Sequence, residues 1–144
     1  MDKLSFMSTI PDDLPRRILA GSPDAVLISD RSGTVRYWNT AAHRIFGFSA
    51  TEAQGRSLDI IIPEQFRDRH WAAWRTVMET GETRYGDGRL LAVPALNKDG
   101  RRLSIEFSIQ LLKGPEGGIE HVVAVVRDVT QRYLREKELP AKCR

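Results

Sequence analysis

One histidine lies where its imidazole can do more than face solvent. His70 occurs within PEQFRDRHWAAWRTVMETGETR, residues 63–84, whose apolar residues repeat at helical spacing. The residues at i+3, i+4, i+7 and i+8 from His70 are Ala73, Trp74, Val77 and Met78. This is the apolar face, so the imidazole is predicted to point towards the protein interior. An inward histidine is either a hydrogen-bonded core residue, which is the commoner case, or a group that holds a ligand.

Other reactive constellations are missing from the sequence. There is no glycine-rich phosphate loop, no metal-spaced pair of His or Cys, no nucleophile elbow and no carboxylate pair, so we expect no enzyme activity. The only cysteine, Cys143, excludes an intrachain disulfide framework and fits a reducing cytoplasm. The net charge of +3 gives no electrostatic sign of nucleic-acid binding, and no run of ~20 apolar residues predicts a membrane span.

The elements that must position His70 begin with a short N-terminal helix. Residues 1–11 show no sustained period and are predicted to form a flexible arm. Residues 12–24, DDLPRRILAGSPD, are typical of a helix that Asp12 or Asp13 caps and Gly21 ends.

A hairpin and a set of helices follow. Residues 25–30, AVLISD, and 34–40, TVRYWNT, read as two strands joined by a tight turn. Residues 39–58 contain the signals of short helices, and Pro63 begins a longer helix that runs to about Thr80.

Three further strands close the predicted fold, followed by a helix at TQRYLREKEL, residues 130–139. The strand segments are TRYGDGRLLAVPAL, RRLSIEFSIQLL and IEHVVAVVRDV, and NKDG joins the first two as a tight turn. In the middle segment the apolar residues alternate with polar ones, which indicates a sheet with one wet face. The fold class is therefore α+β: a five-stranded antiparallel sheet with helices on one face and flanking helices at both ends.

The ordered motifs of the chain resemble those of a PAS domain. SPDAVLISDRSGTVRYWNTAAHRIFGFSATEAQGRSL resembles the N-terminal PAS half, with its D-x-x-G turn, its W-N-x-A-A helix start and its F-G-[FY] helix end. NKDGRRLSIEFS and VVAVVRDVTQR resemble the K-D-G strand pair and the last strand with its D-[IV]-T exit. The resemblance covers residues 14–139 and implies a sensory module.

The resemblance also divides the chain. Residues 12–129 would be the PAS sensor domain with its flanking helix, and residues 130–144 a signal-linker helix and tail. In this family Asp128 and Thr130 stand where the signal leaves the domain. The same two residues can equally be a simple helix cap, and both roles can hold together.

Within the family, the segment around His70 resembles the heme-binding sensors of the rhizobial oxygen-sensor type. IIIPEQFRDRHWAAW matches their I-x-P-x-x-x-R-x-x-H run, in which the proximal histidine follows an arginine by three residues, as His70 follows Arg67. This resemblance implies heme b with His70 as the proximal iron ligand. The small Ala73 would leave room for the macrocycle and Trp74 would pack on its rim. Flavin is not expected, because the middle helices contain no cysteine.

The remaining pocket residues follow from the same comparison. Arg89 is a candidate donor to a bound gas, although an exposed arginine on a strand edge is the commoner case. Arg75 can replace the arginine that holds heme propionates in the family, or lie as a solvated charge. The expected apolar lining is Leu91, Phe107, Ile109 and Val123. His43 and His121 are expected to be exposed.

These features predict a sensor of a diatomic gas (O2, CO or NO) or of redox state. It would relay its signal through the C-terminal helix to an effector domain in the same or another chain: a kinase, a cyclase or phosphodiesterase, or a transcription regulator. The terminal helices are amphipathic enough to support a homodimer. The competing interpretation is a heme-free PAS module for dimerisation, signal relay or binding of a small organic ligand.

Overall fold

The computed structural model describes residues 10–83 and 90–138, with the side chain of Leu91 left aside. Its helices are α1 (Leu14–Gly21), α2 (Thr40–Phe46), α3 (Ala50–Ala53), a 3-10 turn (Leu58–Ile61), α4 (Glu64–Thr80) and α5 (Thr130–Glu138). Its strands are β1 (Ala25–Asp30), β2 (Val35–Trp38), β3 (Leu91–Leu96), β4 (Arg102–Lys113) and β5 (Ile119–Asp128).

The five strands form one antiparallel sheet in the order β2-β1-β5-β4-β3. The two chain halves meet at its centre, where β1 pairs with β5 in a register that sets Leu27 beside Ala124. The predicted α+β fold, with helices on one face of an antiparallel sheet, is confirmed. Of the arm predicted at residues 1–11, residues 1–9 lie outside the described residues.

The core lies between the inner face of the sheet and the short helices α2 and α3. Phe46 is 0% exposed, and Trp38 packs against it with ring centroids 5.5 Å apart. The indole Nε1 of Trp38 donates to the Phe48 carbonyl at 2.8 Å, so burial of the ring leaves no donor unpaired. This half of the inner face is therefore closely packed.

The buried side chain of Asn39 joins three elements. Its Oδ1 accepts from the backbone N–H of Val26 on β1 and of Ala42 in α2, both at 3.0 Å. Its Nδ2 donates to the carbonyls of Leu19 in α1 and Asp24. Asn39 is thus the N-cap of α2 and also a link between α1 and the sheet.

The predicted cap of α1 is wrong. Asp13 occupies the N-cap position, but its backbone is already helical (φ −87°, ψ −3°) and its side chain makes no cap hydrogen bond among the described residues. Pro15 also removes one of the N–H groups that a cap would satisfy. The acidic residue was correctly placed, but the proline after it leaves little to cap.

Candidate functional site

Helix α4 presents one half-buried face to the rest of the molecule. Its 17 residues begin after Pro63 and end at Gly81, whose φ of 73° is left-handed, as the sequence predicted. The half-buried residues are Phe66, Arg67, His70, Trp71, Trp74, Val77 and Met78. Ala73 is exposed, so the expectation that it lies beside the imidazole is wrong. The centre of the face falls between His70 and Trp71, which places position 73 on the solvent side.

The two tryptophans of α4 attach it to the β1–β2 turn. Trp74 Nε1 donates to the Arg31 carbonyl at 2.9 Å. Gly33 lies directly under the ring of Trp71, where a Cβ would overlap the ring, and its φ of +83° suits glycine. Trp71 Nε1 donates to Asp59 Oδ1 of the 3-10 turn at 2.7 Å. The middle of α4 is thus attached to the β1–β2 turn and to the 3-10 turn through its two tryptophans.

The guanidinium of Arg31 adds a second attachment near the C-terminal end of α4. Its Nη2 lies 3.5 Å from the carbonyl of Met78, and its Nη1 donates to the carbonyl of Ile119 at 3.2 Å. Arg31 therefore connects α4 to the start of β5. At the N-terminal end, Arg67 Nε donates to the Ile62 carbonyl at 3.0 Å, which ties the first turns of the helix to the 3-10 turn.

The inner face of α4 is loosely packed in comparison with α2 and α3. Among the described residues, none of α4 is fully buried, and none belongs to the buried core cluster. On the sheet, Phe107 and Ile109 are likewise only half-buried. Fully folded apolar faces normally bury their side chains, so α4 and this part of the sheet are packed less tightly than the core.

His70 lies on the half-buried face of α4. Its imidazole lies edge-on to Trp71, with ring centroids 4.5 Å apart at 82°, and 5.8 Å from Trp74 at 40°. Burial lowers the pKa of His70 below its ordinary value, and the nearby Asp59 carboxylate only partly opposes this. The imidazole is therefore neutral at pH 7. Its Nδ1 is buried and has no hydrogen-bond partner among the described residues.

The strand residues predicted to line the pocket divide between the two faces of the sheet. Ile109 pairs with Ala124, next to the core residue Leu27, which places Phe107 and Ile109 on the inner face. Val123 pairs with Gln110 and lies on the opposite face, so its predicted place in the lining is wrong. The apolar run of β5 hides its alternation from sequence reasoning, and Ala124 takes the expected place.

Two other residues predicted in the pocket, the lining residue Leu91 and the candidate gas donor Arg89, fall in or beside the segment that the structure does not describe. The backbone of Leu91 pairs with Phe107, whereas Arg89 lies outside the described residues. Neither side chain can be placed in the pocket, and both remain predictions.

Trp74 and Arg75 border the solvent side of α4. An open cleft of about 380 Å³ runs between the helix and the β1–β2 turn; its lining includes Arg31, Trp74 and Arg75. Arg75 is exposed, which agrees with the solvated alternative for this residue. Of the other histidines, His43 is exposed as expected, and His121 is half-buried at the start of β5.

The C-terminal exit is pinned to β4. Thr130 Oγ1 accepts from the backbone N–H of Ser104 at 3.0 Å, and Asp128 Oδ1 accepts from the backbone N–H of Thr130 at 2.9 Å. Arg132 forms an ion pair with Glu106, the neighbour of Phe107 on β4. The helix cap expected at Asp128 is present, and the threonine additionally joins α5 to the strand that lines the site.

Sequence reasoning overlooked Trp71, its contact with Gly33 and the burial of Ser29. Trp71 follows it directly and so falls outside an i+3, i+4 pattern, although a helical face wide enough for both would have included it. The contact between Trp71 and Gly33, in the D-x-x-G turn, is tertiary and gives no local signal. Ser29 reads as an ordinary strand residue, yet it is 2% exposed and its Oγ has no partner among the described atoms.

A profile of the PAS fold matches residues 19–134. The chain belongs to the PAS family. PAS domains are generally sensory modules and not catalysts. None of the described helices of this PAS domain is long and apolar enough to cross a membrane.

Relatives of the PAS domain include two named sensors. It is 32% identical over 125 residues to the sensor protein FixL of Bradyrhizobium diazoefficiens, covering 86% of this chain and 24% of the relative. It is 27% identical over 114 residues to the oxygen sensor protein DosP of Escherichia coli, covering 79% of this chain and 14% of that protein. The chain thus spans less than a quarter of the length of either relative.

Solved structures share the fold at low identity. A PAS domain from Colwellia psychrerythraea superposes with a TM-score of 0.72 at 20% identity, covering 84% of this chain and 100% of the other. An RNA-binding light-oxygen-voltage receptor superposes with a TM-score of 0.73 at 23% identity, covering 89% of this chain and 37% of the other. Similarity at this level of identity shows the fold alone.

Proposed function

We propose that this PAS domain binds heme b through His70 and senses a diatomic gas or the redox state of the iron. The supporting observation is the state of His70: a neutral imidazole with an unpartnered buried nitrogen, on a helix that leaves its sheet-facing side loosely packed. Heme iron in sensors is commonly held by one nitrogen of a neutral imidazole, and the other ring nitrogen then needs a hydrogen-bond partner. The similarity to a sensor protein and to an oxygen sensor protein supports the same function.

The residues around His70 fit a flat apolar macrocycle. Phe107 and Ile109 supply apolar walls, and the small Ala124 between the strands limits steric conflict on the inner face. His70 would offer the iron one ring nitrogen, as the proximal histidine commonly does in heme proteins. When bound, the heme would supply an open iron position for a gas ligand.

In this proposal each protein residue has a definite task. His70 would hold the iron with one ring nitrogen, and Trp71 and Trp74 fix the imidazole by attaching α4 to the 3-10 turn and the β1–β2 turn. The walls on β4 exclude water from the site. A shift of β4 would reach α5 directly, because Ser104 and Glu106 hold Thr130 and Arg132. We therefore propose that Asp128 and Thr130 carry the signal to an effector domain.

Hemin titration of the purified protein tests the heme proposal. The wild type is expected to develop a Soret band at one equivalent of hemin, and His70→Ala to lose it. His43→Ala is the matched control, because His43 is exposed and lies on α2, and its spectrum should equal the wild type. A protein that stays colourless with hemin would instead identify a heme-free relay or a module for a small organic ligand.

We also propose a homodimer through the terminal helices. No residue of α1 or of the described part of α5 is buried, and both expose apolar side chains: Ile18 is 61%, Tyr133 47% and Leu134 48% exposed. Such side chains on two neighbouring termini favour a helical contact between copies. Light scattering should give a dimer mass, and Ile18→Asp with Leu134→Asp should shift it towards the monomer; a wild type that is monomeric at all concentrations would contradict this.

A further inference from the structure

Two buried polar side-chain atoms have no hydrogen-bond partner in the described part of the chain: Ser29 Oγ and His70 Nδ1. Leaving such an atom unpaired costs free energy, so buried polar groups are normally satisfied by protein or by internal water. An internal water typically makes two to four hydrogen bonds to groups of this kind. The two atoms can thus satisfy each other through one water if they face the same space.

Ser29 faces the inner side of the sheet. It pairs with the buried Val122 on β5 and lies two residues after the core residue Leu27, so its side chain shares their face. It is also the last inward residue of β1 before the turn that holds α4. Its hydroxyl therefore points to the face of the sheet that the helices cover.

His70 is brought to the same end of β1 by its neighbours. Trp71 lies over Gly33, and Trp74 donates to the carbonyl of Arg31, which is two residues beyond Ser29. Both rings also contact the imidazole. The residues that hold His70 are thus attached within a few positions of Ser29, on the side of α4 that faces the sheet.

We propose that one internal water joins Ser29 Oγ to His70 Nδ1 and makes Ser29 a positioning residue for the imidazole. Nδ1 carries the ring proton and donates it to the water, and the water donates to the serine oxygen. The tautomer is then fixed with Nε2 free of hydrogen, so its lone pair is available to a ligand. The tautomer holds in the unliganded protein; only its use on iron rests on the proposed function.

The tautomer can be read directly by 15N NMR of the histidine ring at pH 8. In the wild type the His70 signals should report a protonated Nδ1 and a bare Nε2, with His70→Ala used to assign them. Ser29→Ala removes the water's partner, and the signals should move towards the Nε2–H form that free imidazole favours. Ser29→Thr keeps the hydroxyl and should restore the wild-type pattern.

Ser108→Ala is the matched control. Ser108 is a half-buried strand serine on the other face of the sheet, where it pairs with Val125. It should leave the His70 signals unchanged. Identical His70 signals in Ser29→Ala and the wild type would overturn the proposal. So would a Ser29→Ala protein with a higher Tm, because that result identifies the hydroxyl as truly unpaired.

The bound state gives an independent arm. Loss of an outer hydrogen-bond partner typically weakens metal binding by about tenfold or more, so Ser29→Ala should raise the Kd for hemin by about tenfold while Ser108→Ala does not. If His70→Ala keeps the Soret band, the heme proposal fails while the NMR arm still decides the tautomer. If hemin binding needs His70 but neither readout responds to Ser29→Ala, only the water bridge fails.

Discussion

The two halves of the inner sheet face are built in different ways. Under α2 and α3, side chains such as Phe46 and Ala42 are fully enclosed and the one buried indole has its hydrogen bond. No side chain of α4, the longest helix described, is fully buried, and Trp74 fastens this helix to the β1–β2 turn. The first half therefore contributes more to the stability of the fold, and in the second half the apolar side of α4 is only half-buried.

The two halves should differ most in how much free energy of unfolding is lost when an apolar side chain is truncated. Phe46→Ala should lower the free energy of unfolding by about 3–5 kcal/mol, because the fully buried ring leaves a cavity. Val77→Ala in α4 should cost about 1 kcal/mol or less, since Val77 is only half-buried. Urea unfolding followed by circular dichroism measures both. Equal losses would show that α4 is packed as tightly as the core.

The attachment of α4 to the turn is tested at Gly33. Gly33→Ala should cost about 2–3 kcal/mol, from the positive φ together with the overlap with Trp71. Gly100→Ala is the control: its φ of +79° is similar but nothing lies near its Cβ, so only about 1–2 kcal/mol should be lost. Thermal unfolding of the two variants compares them. An equal loss in both would mean that the ring of Trp71 moves aside freely.

A smaller effect is expected at the hydrogen bond between Trp71 and Asp59. Trp71→Phe keeps most of the ring and removes its donor, which should cost about 1–2 kcal/mol, because the acceptor is a carboxylate. A double-mutant cycle with Asp59→Ala should give a coupling of about 1 kcal/mol. Additive losses in that cycle would indicate that the two side chains do not depend on each other.

The smallest expected effect concerns the acid stability of the β1–β2 turn. Burial acts to raise the pKa of Asp30, but hydrogen bonds from Ser32, Thr34 and Arg36 outweigh it and lower the pKa to about 2. A carboxyl group with a lowered pKa stabilises the folded state above its ordinary pKa of about 4, and this stabilisation is lost as the pH falls towards 2. Asp30→Asn should therefore lower Tm at pH 7 and by much less at pH 2.5. If the Tm difference between the wild type and Asp30→Asn is the same at pH 7 and at pH 2.5, Asp30 does not contribute to the pH dependence of stability.

The sequence was sufficient for the fold because its signals are local. Asn39, Ser49, Pro63 and Gly81 begin or end helices where the structure has them, and the period of β4 identifies its inward face. Prediction was poorer where apolar and polar residues do not alternate. Strand β5 is apolar on both faces, so Val123 was predicted on the inner face of the sheet although it lies on the outer face.

The site was harder to predict because its support is tertiary. That His70 lies on the inward side of α4 follows from helical spacing. The contacts that orient it come from residues 59, 31 and 33, which are distant in sequence and carry no motif that points to position 70. Nor can spacing show that a buried serine lacks a partner, since this depends on every atom around it.

The close fit of Gly33 beneath Trp71 has a consequence for descent within the family. A side chain at 33 needs a smaller ring or none at 71, and a large residue at 71 needs a glycine at 33. The two positions should therefore be inherited as a pair. Relatives that carry Gly and Trp at the positions of Gly33 and Trp71 are expected to attach their long helix to the β1–β2 turn in the same way.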